Sequence, residues 1–226
     1  MSPHSKRQIG TVILAAGDSS RLGQPKQLLR ISGKSLVRRI IDAAGEAGCS
    51  PITVVTGGDH DQIVRELEET RVIVVQNKNW QHGIGTSIRA GVKKLVDNVQ
   101  DLQAVVLLVC DQPFVTARTI EGLITLREKM NKSIVASRYA DTLGVPALFD
   151  RSFFQELLSL SDEAGAKSII LRNRERVAQF RFPEGNLDID TLHDYEKLTE
   201  RKPNDPVRRG GRDARATSPS AEKSAE

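Results

Sequence analysis

Two positively charged side chains stand in a short stretch of small, flexible residues near the start of the chain. After an apolar run that reaches Leu14, residues 15–26 read AAGDSSRLGQPK, with Arg21 and Lys26 as the cations. Glycines and serines let a ligand approach the backbone closely, and successive N–H groups in such a turn form an anion-binding concavity. The stretch predicts a polyphosphate site where a strand ends, although a tight turn with two solvated cations would have the same composition.

The spacing of this stretch differs from that of the two best-known phosphate loops. A P-loop requires Lys-Ser or Lys-Thr directly after its second glycine, whereas Gly23 is followed by Gln24 and Pro25. The pattern GxGxxG is also absent, because two alanines precede Gly17. The sequence therefore argues against P-loop NTPases and dinucleotide dehydrogenases.

An aspartate far along the chain supplies a second kind of group that phosphate chemistry uses. Asp111 follows Cys110 and the most apolar segment of the chain, residues 104–109, where burying an unpaired carboxylate would be costly. Two interpretations remain open for Asp111. It caps the following DQP turn, or it binds Mg²⁺, which prefers carboxylate and phosphate oxygens.

Strand-like and helix-like patterns alternate along the chain and would position these groups. Apolar and extended runs predict strands at 9–15, 52–55, 72–75, 104–109, 133–137, 146–149, 177–182 and 187–189. Helical spacing of apolar residues predicts helices at 35–47, 60–69, 86–96, 116–129, 151–160, 166–172 and 191–199. Thr116 is predicted to cap the helix that it begins. This alternation predicts an α/β fold with a mostly parallel sheet covered by helices on both faces, and such sheets bind ligands at the carboxyl ends of their strands.

Composition sets bounds on the class of protein. The 226 residues carry a formal net charge of +4, which permits a nucleic acid partner without requiring one and equally suits a small anionic ligand. We expect no nucleic acid partner. No apolar run approaches the roughly 20 residues that cross a bilayer, and the N-terminus lacks the apolar core of a signal peptide. Cys49 and Cys110 are expected to be free thiols in a reducing compartment. We therefore predict a cytoplasmic protein without a membrane segment.

The same composition divides the chain into three parts. Residues 9–199 carry the alternating pattern and form the predicted domain. Residues 1–8 are predicted to be a flexible N-terminus. Residues 200–226 have almost no large apolar side chain and are rich in Pro, Gly, Ser and charges, which predicts a disordered tail.

Several stretches, in order along the chain, resemble the MobA-like nucleotidyltransferases. They are LAAGDSSRLGQPKQLL at 14–29, NKNWQHGIGTSIRAGV at 77–92, VVLLVCDQPFV at 105–115, GVPALFDRSFFQELLSL from 144 and LDIDTLHDYEKL at 187–198. The resemblance implies a Rossmann-like sheet of the nucleotide-diphospho-sugar transferase type. LAAG together with DQP and DIDT is most similar to the molybdenum cofactor cytidylyltransferases, which join CMP from CTP to molybdopterin.

The resemblance implies a reaction and assigns roles to the charged residues. A phosphate of the acceptor would attack the α-phosphorus of an NTP, pyrophosphate would leave, and positioning and cations would supply most of the catalysis. Lys26 is expected to contact the α-phosphate and Arg21 the β- and γ-phosphates, with Asp111 as the third catalytic residue. Asp111 and Asp188 would hold Mg²⁺. Asp190 is the alternative second carboxylate, or the cap of the last helix.

The resemblance also indicates which residues would surround the nucleotide. Those expected to bind substrate are Leu14, Ala15, Ala16, Gly17, Ser19, Gly83, Gly85 and Ser87. Gly17 and Ser19 would offer backbone and hydroxyl donors. Gly83, Gly85 and Ser87 match positions that close over the nucleotide, but a glycine-rich approach to a helix N-terminus would have the same pattern.

The acceptor is the least determined part of the prediction. Val145 stands where the family often has His in Gly-His-Pro, and Glu163 stands where it has Asp in GDxGA. Arg138, Gly144 and Pro146 are candidates for the acceptor side. Molybdopterin is the leading acceptor, with a molybdoenzyme as the receiver of the product. A sugar phosphate or another phosphorylated metabolite is an alternative, and so is a module that binds a nucleotide or pterin without turnover.

Overall fold

The strand that leads into the cationic stretch lies at the centre of the sheet. The computed structural model describes residues 8–18, 22–189 and 191–200, without the side chains of the last two. Within them QIGTVILA forms β1 (Gln8–Ala15), which pairs in parallel with a strand on each side. Seven of its eight residues are buried, as expected for a strand covered on both faces.

Seven strands in the described part of the chain form the main sheet. The strands after β1 are β2 (Arg30–Ile31), β3 (Lys34–Ser35), β4 (Ile52–Thr56), β5 (Ile73–Gln76), β6 (Leu102–Val109), β7 (Ile134–Tyr139), β8 (Thr142–Asp150) and β9 (Val177–Arg181). The order in the main sheet is β5-β4-β1-β6-β8-β7-β9, while β2 and β3 form a separate hairpin. Only β8 of the seven runs antiparallel to its neighbours. The predicted mostly parallel sheet is confirmed.

Helices cover both faces of this sheet. They are α1 (Leu36–Glu46), α2 (His60–Leu67), α3 (Ile84–Asn98), α4 (Ala117–Met130), α5 (Phe154–Leu158), α6 (Ala166–Arg172) and α7 (Leu192–Glu200). One core cluster includes Val37 of α1 and Ile120 of α4, and a second includes Ile88 of α3 and Ile169 of α6. The alternation of side chains along each strand supplies both clusters, which confirms the predicted α/β architecture.

Short polar residues fix where α4 and α7 begin. Thr116 caps α4 as predicted, since its hydroxyl accepts a hydrogen bond from the Thr119 N–H and the Thr119 side chain bonds back. A similar reciprocal pair forms at α7, where the Asp194 carboxylate accepts from the Thr191 N–H at 2.9 Å and the Thr191 hydroxyl accepts from the Asp194 N–H. Asp190, the alternative cap, lies outside the described residues.

Two of the predicted elements are wrong. Residues 187–189 form no strand, because β6, the strand whose end they pass, is already paired on both edges by β1 and β8. Residues 151–160 do not form one helix. A 3₁₀ turn (Arg151–Phe153) precedes the short α5, and the Asp150 carboxylate caps that turn by accepting from the Ser152 N–H.

The remaining predictions concern the two cysteines, membrane-spanning helices and the limits of the domain. Cys49 and Cys110 are buried free thiols. No helix in the described ranges is long and apolar enough to cross a membrane. Residues 1–7 and residues 201–226 of the predicted tail lie outside the described residues, so the domain limits stay predictions.

Replacing Thr116 with Ala removes the side-chain acceptor at the start of α4. We expect the free energy of unfolding, measured by chemical denaturation, to fall by about 1 kcal/mol. Thr125→Ala is the matched control, because Thr125 is an exposed residue in the middle of the same helix. Equal stability of the two variants would show that the cap contributes nothing.

Candidate active site

The loop after β1 is held in shape by a buried amide. Gln27 is 1% exposed, and its Nε2 donates to the Ala15 carbonyl at 2.9 Å and to the Gly17 carbonyl at 3.3 Å. Gln27 belongs to a 3₁₀ turn (Lys26–Leu28) that starts directly after Pro25. This turn therefore brings Lys26 back over the end of the strand.

Lys26 and Asp111 form an ion pair at this edge of the sheet. Lys26 Nζ lies 2.7 Å from Asp111 Oδ2, and the two side chains are 12% and 23% exposed. Asp111 follows β6, the neighbour of β1, so the carboxyl ends of two adjacent parallel strands present the two charges. In the structure the Asp111 carboxylate pairs with Lys26. Neither of the two interpretations that the sequence left open for Asp111 included this pairing.

A cavity of about 440 Å³ opens beside this pair. Its volume falls within the range of small-molecule sites. The lining residues come from the end of β1 and its loop, from the segment before and within the first turn of α3, and from the end of β6. They are Leu14, Ala16, Gly17, Asp18, Lys26, Gln27, Trp80, Gln81, Ile84, Ser87, Val109, Cys110 and Asp111. We call this the central cavity.

A buried asparagine organises the α3 side of the central cavity. Asn77 Nδ2 donates to the hydroxyls of Thr86 and Ser87 at 2.8 and 2.9 Å, and its Oδ1 accepts from the Asn79 N–H. Ser87 is consequently held with its hydroxyl at the cavity wall.

Glycines after β4 let Trp80 pack at the other side of the opening. A Cβ on Gly57 would lie 2.9 Å from Trp80 Cγ and 2.8 Å from the Ala16 carbonyl oxygen, and one on Gly58 would lie 3.1 Å from Trp80 Cζ2. The Trp80 ring is therefore packed against backbone while it also lines the central cavity.

A backbone hydrogen bond of the next residue holds Asp188 near the carboxyl end of β6. The Ile189 N–H donates to the Asp111 carbonyl at 3.0 Å, which fixes residues 187–189 against the end of β6. Burial raises the pKa of Tyr139, and the carboxylates of Asp188 and Asp111 raise it further. The Tyr139 side chain is therefore near enough to Asp188 and Asp111 for the charges of both carboxylates to affect its pKa. The Asp188 side chain itself lines a neighbouring cavity of about 230 Å³.

The donor set suits a divalent cation that a phosphate ligand would complete. In residues 8–18, 22–189 and 191–200, no cluster of three or more His, Cys, Asp or Glu side chains could hold a metal. Mg²⁺ is commonly bound in proteins by one or two carboxylates together with substrate phosphates and water. Asp111, which lines the central cavity, and Asp188, which lines the neighbouring one, are the two carboxylates that the sequence predicts for this role.

Comparison with known proteins assigns the chain to a family. Residues 11–177 match the model of the MobA-like NTP transferase domain. The chain belongs to this family. This match confirms the family that the sequence resembles and the fold that the resemblance implied.

Solved structures and curated relatives agree with the assignment. Rv0371c from Mycobacterium tuberculosis H37Rv is 31% identical with a TM-score of 0.71, over 86% of this chain and 98% of that one. A complex of Rv0371c with manganese is 30% identical with a TM-score of 0.68, over 85% and 98%. The bifunctional protein GlmU of Pseudoalteromonas atlantica is 30% identical, over 59% of this chain and 29% of that protein. The chain spans about a third of the curated relatives it matches.

The structure of this MobA-like domain brings many of the predicted site residues together. Lys26, Asp111, Leu14, Ala16, Gly17 and Ser87 line the central cavity. Ala15 is buried in the core below it. Arg21 and Ser19 lie outside the described residues. The binding and metal roles of all these residues stay predictions.

Gly83 and Gly85 have a different neighbour from the one expected. A Cβ on Gly83 would lie 2.3 Å from the Asp162 carbonyl oxygen, and one on Gly85 would lie 2.0 Å from the Ser161 carbonyl oxygen. The Gly85 N–H also donates to Asp162 at 2.8 Å. Both glycines therefore seat the 161–164 loop against α3, and neither lines the central cavity.

Other residues of the site were missed in the sequence. Gln27, Asp18 and the glycine pair at 57–58 all take part, and only the glycine pair had a signal, namely two glycines directly after a strand. Gln27 is a polar residue among leucines, which by itself does not show that its amide holds a loop.

Gly85→Ala tests the contact between α3 and the 161–164 loop. Because the new Cβ would meet backbone rather than a movable side chain, we expect unfolding free energy to fall by about 1–3 kcal/mol and amide exchange to rise in residues 161–164. Gly45→Ala in α1 is the control, since its Cβ would lie 4.0 Å from the nearest side chain. Unchanged exchange in that loop would contradict the assignment.

Proposed function

We propose that this domain transfers CMP from CTP to the phosphate of molybdopterin and releases pyrophosphate. The observation that carries the proposal is the Lys26–Asp111 pair, held at 2.7 Å beside a cavity at the carboxyl ends of two parallel strands. Parallel sheets bind their ligands at this edge. The membership of the MobA-like family supports nucleotidyl transfer as the reaction class.

Lys26 would act by changing partner when the triphosphate binds. In the structure its ammonium group and the Asp111 carboxylate neutralise each other in a largely buried position. An entering α-phosphate offers Lys26 a second anion, and the same ammonium group then stabilises the charge that develops as the acceptor oxygen attacks. Arg21 would hold the β- and γ-phosphates, for which its planar fork of donors is suited.

Asp111 and Asp188 would hold the divalent cation. When bound, that ion neutralises the triphosphate and the leaving pyrophosphate. The manganese complex of Rv0371c supports divalent metal binding in a relative, and Mg²⁺ is our proposal for this chain. The position of Ile189 on the Asp111 carbonyl supports the choice of Asp188 as second ligand.

The central cavity would hold the nucleotide. Its floor is the buried carboxyl end of β1, including Leu14 and Ala16, and its rim carries the Ser87 hydroxyl. Gly17 and Ser19 would donate to the phosphates. Small residues at 15–17 would let the nucleotide approach the backbone closely.

The acceptor assignment rests on the similarity of LAAG, DQP and DIDT to the molybdenum cofactor branch. A sugar phosphate or another phosphorylated metabolite is the second candidate. Val145 stands in place of the histidine of Gly-His-Pro, in a segment that the resemblance assigns to the acceptor side, so the chain departs there from the pattern of the molybdenum cofactor branch. A molybdoenzyme would receive the molybdopterin product.

Pyrophosphate release with each acceptor tests the proposal directly. Purified protein is incubated with Mg²⁺, one of the four NTPs, and either molybdopterin or a hexose 1-phosphate. We expect release with CTP and molybdopterin. Release with the hexose phosphate alone would favour the second candidate, and CTP binding with no release for any acceptor would favour a module without turnover.

Two substitutions test the ion pair. We expect Lys26→Ala to lower kcat/KM for CTP by about 100- to 1000-fold, because a charge that stabilises the transition state is lost. Asp111→Asn should lower it similarly and raise the Mg²⁺ concentration needed for half-maximal rate. Melting temperatures check that both variants fold.

The matched controls are Lys93→Ala and Asp97→Asn. These residues form an exposed ion pair on α3, with Nζ 3.0 Å from Oδ2. Their loss should leave kcat/KM within about twofold of the unsubstituted protein, since exposed pairs contribute little. Wild-type turnover of Lys26→Ala would remove Lys26 from the catalytic set.

A further inference from the structure

Two arginines lie side by side near the carboxyl ends of β7 and β9, two and three strands from β6 in the sheet. Arg138 of β7 and Arg181 of β9 are register partners on adjacent parallel strands, so their side chains leave the same face. Together with Tyr139 and Gln179 they line a cavity of about 550 Å³. We call it the arginine cavity.

Neither guanidinium has a carboxylate partner within the described part of the chain. Other arginines do, for example Arg89 with Asp162 and Arg127 with Asp150. No carboxylate oxygen of a described residue lies within 4.0 Å of the guanidinium nitrogens of Arg138 or Arg181. Like charges directly opposite on neighbouring strands are destabilising. An anion between the two guanidinium groups would offset that repulsion.

The arginine cavity lies within reach of the Lys26–Asp111 pair. β7 and β9 run in the same direction as β6, so their carboxyl ends share its edge. β7 is two strands and β9 three strands from β6, which at about 4.8 Å per strand is roughly 10 to 14 Å. One small molecule can span that distance.

Tyr139 connects the two places. Tyr139 lines the arginine cavity and packs against Gly185, whose carbonyl accepts a hydrogen bond from Gln112, the residue after Asp111. The charges of Asp188 and Asp111 also raise the pKa of Tyr139. Two glycines fix its ring. A Cβ on Gly144 would lie 2.2 Å from Tyr139 Oη, and one on Gly185 would lie 2.5 Å from Tyr139 Cδ1. The same residue therefore borders both the metal-binding carboxylates and the paired arginines.

We propose that the arginine cavity binds a second anionic group of the acceptor, separate from the phosphate that attacks. The proposal rests on the proposed nucleotidyl transfer and narrows its substrate class to acceptors with two anionic centres. Molybdopterin qualifies, because its dithiolene sulfurs are anionic in addition to its phosphate. A hexose 1-phosphate has no second anionic centre. In this proposal Arg138 and Arg181 determine which acceptor binds and take no part in nucleotide binding.

Neutral substitutions separate the acceptor from the nucleotide. Arg138→Gln and Arg181→Gln should each raise KM for molybdopterin roughly 10-fold, and the double variant more, since hydrogen bonds to charged groups are lost. The KM for CTP and kcat should change less than twofold. Because a like-charge pair is removed, the double variant should melt at or above the wild-type temperature.

Arg174→Gln is the matched control. Arg174 is exposed and lies in the turn before β9, at the end of the sheet where the parallel strands begin. Its acceptor KM should equal that of the unsubstituted protein. An acceptor KM for the double variant equal to that of Arg174→Gln would overturn the proposal.

Anion binding can be measured without turnover. Inorganic phosphate is titrated into ¹⁵N-arginine-labelled protein, and the side-chain Nε–H signals are followed by NMR. The Arg138 and Arg181 signals should shift together, well ahead of Arg174. Equal shifts for all three would overturn the arginine cavity as a binding site. Absence of pyrophosphate release from wild-type protein with every acceptor would instead overturn the proposed function.

Discussion

The half-buried ion pair between Lys26 and Asp111 is the constraint on which the geometry of the site depends. A charge this deeply placed is expensive unless an opposite charge accompanies it, so each of the two residues makes the other tolerable. Lys26 can reach Asp111 only if the loop after β1 turns back over the strand end. The buried Gln27 amide supplies that turn by holding the carbonyls of Ala15 and Gly17. The turn therefore holds a paired ammonium group at the wall of the cavity in which we propose that the triphosphate binds.

Parallel strand order explains why residues far apart in sequence converge on this pair. β1, β4 and β6 all end at one edge, and each contributes the first residues of its loop to the opening. Glycines make that convergence possible by removing side chains between closely approaching segments. Gly57 lets the Trp80 ring approach the loop after β1, and Gly85 lets the 161–164 loop reach α3. Their contribution is steric, whereas chemistry is left to Lys26 and the carboxylates.

The sequence predicted what depends on local pattern and missed what depends on distant partners. Apolar periodicity located the strands and helices, and Thr116 was identified as a cap because its partner is three residues away. The pairing of Lys26 with Asp111 joins residues 85 positions apart, which no local pattern records. The strand predicted at 187–189 is wrong because distant partners decide its surroundings. Ile189 packs with Leu29 and Leu36, and the strand whose end it passes, β6, is already paired by β1 and β8. Gly83 and Gly85 had the right composition for a ligand loop, but their partner is backbone more than 70 residues later.

The single antiparallel strand, β8, separates the central cavity from the arginine cavity, which we propose bind the nucleotide and the acceptor respectively. β8 lies between β6 and β7, and so places two strand spacings between Asp111 and the paired arginines. Residues from β1, β4 and α3 surround the central cavity, whereas β7 and β9 carry Arg138 and Arg181. Tyr139 and the 187–189 segment link the two cavities. Gln112, the residue after Asp111, also links them, since its Nε2 donates to the Gly185 carbonyl at 2.9 Å. Lys26 and Asp111 belong wholly to the central cavity. Under the proposed function, substitutions in β7 and β9 would therefore change acceptor binding and leave the charges proposed to act on the nucleotide in place.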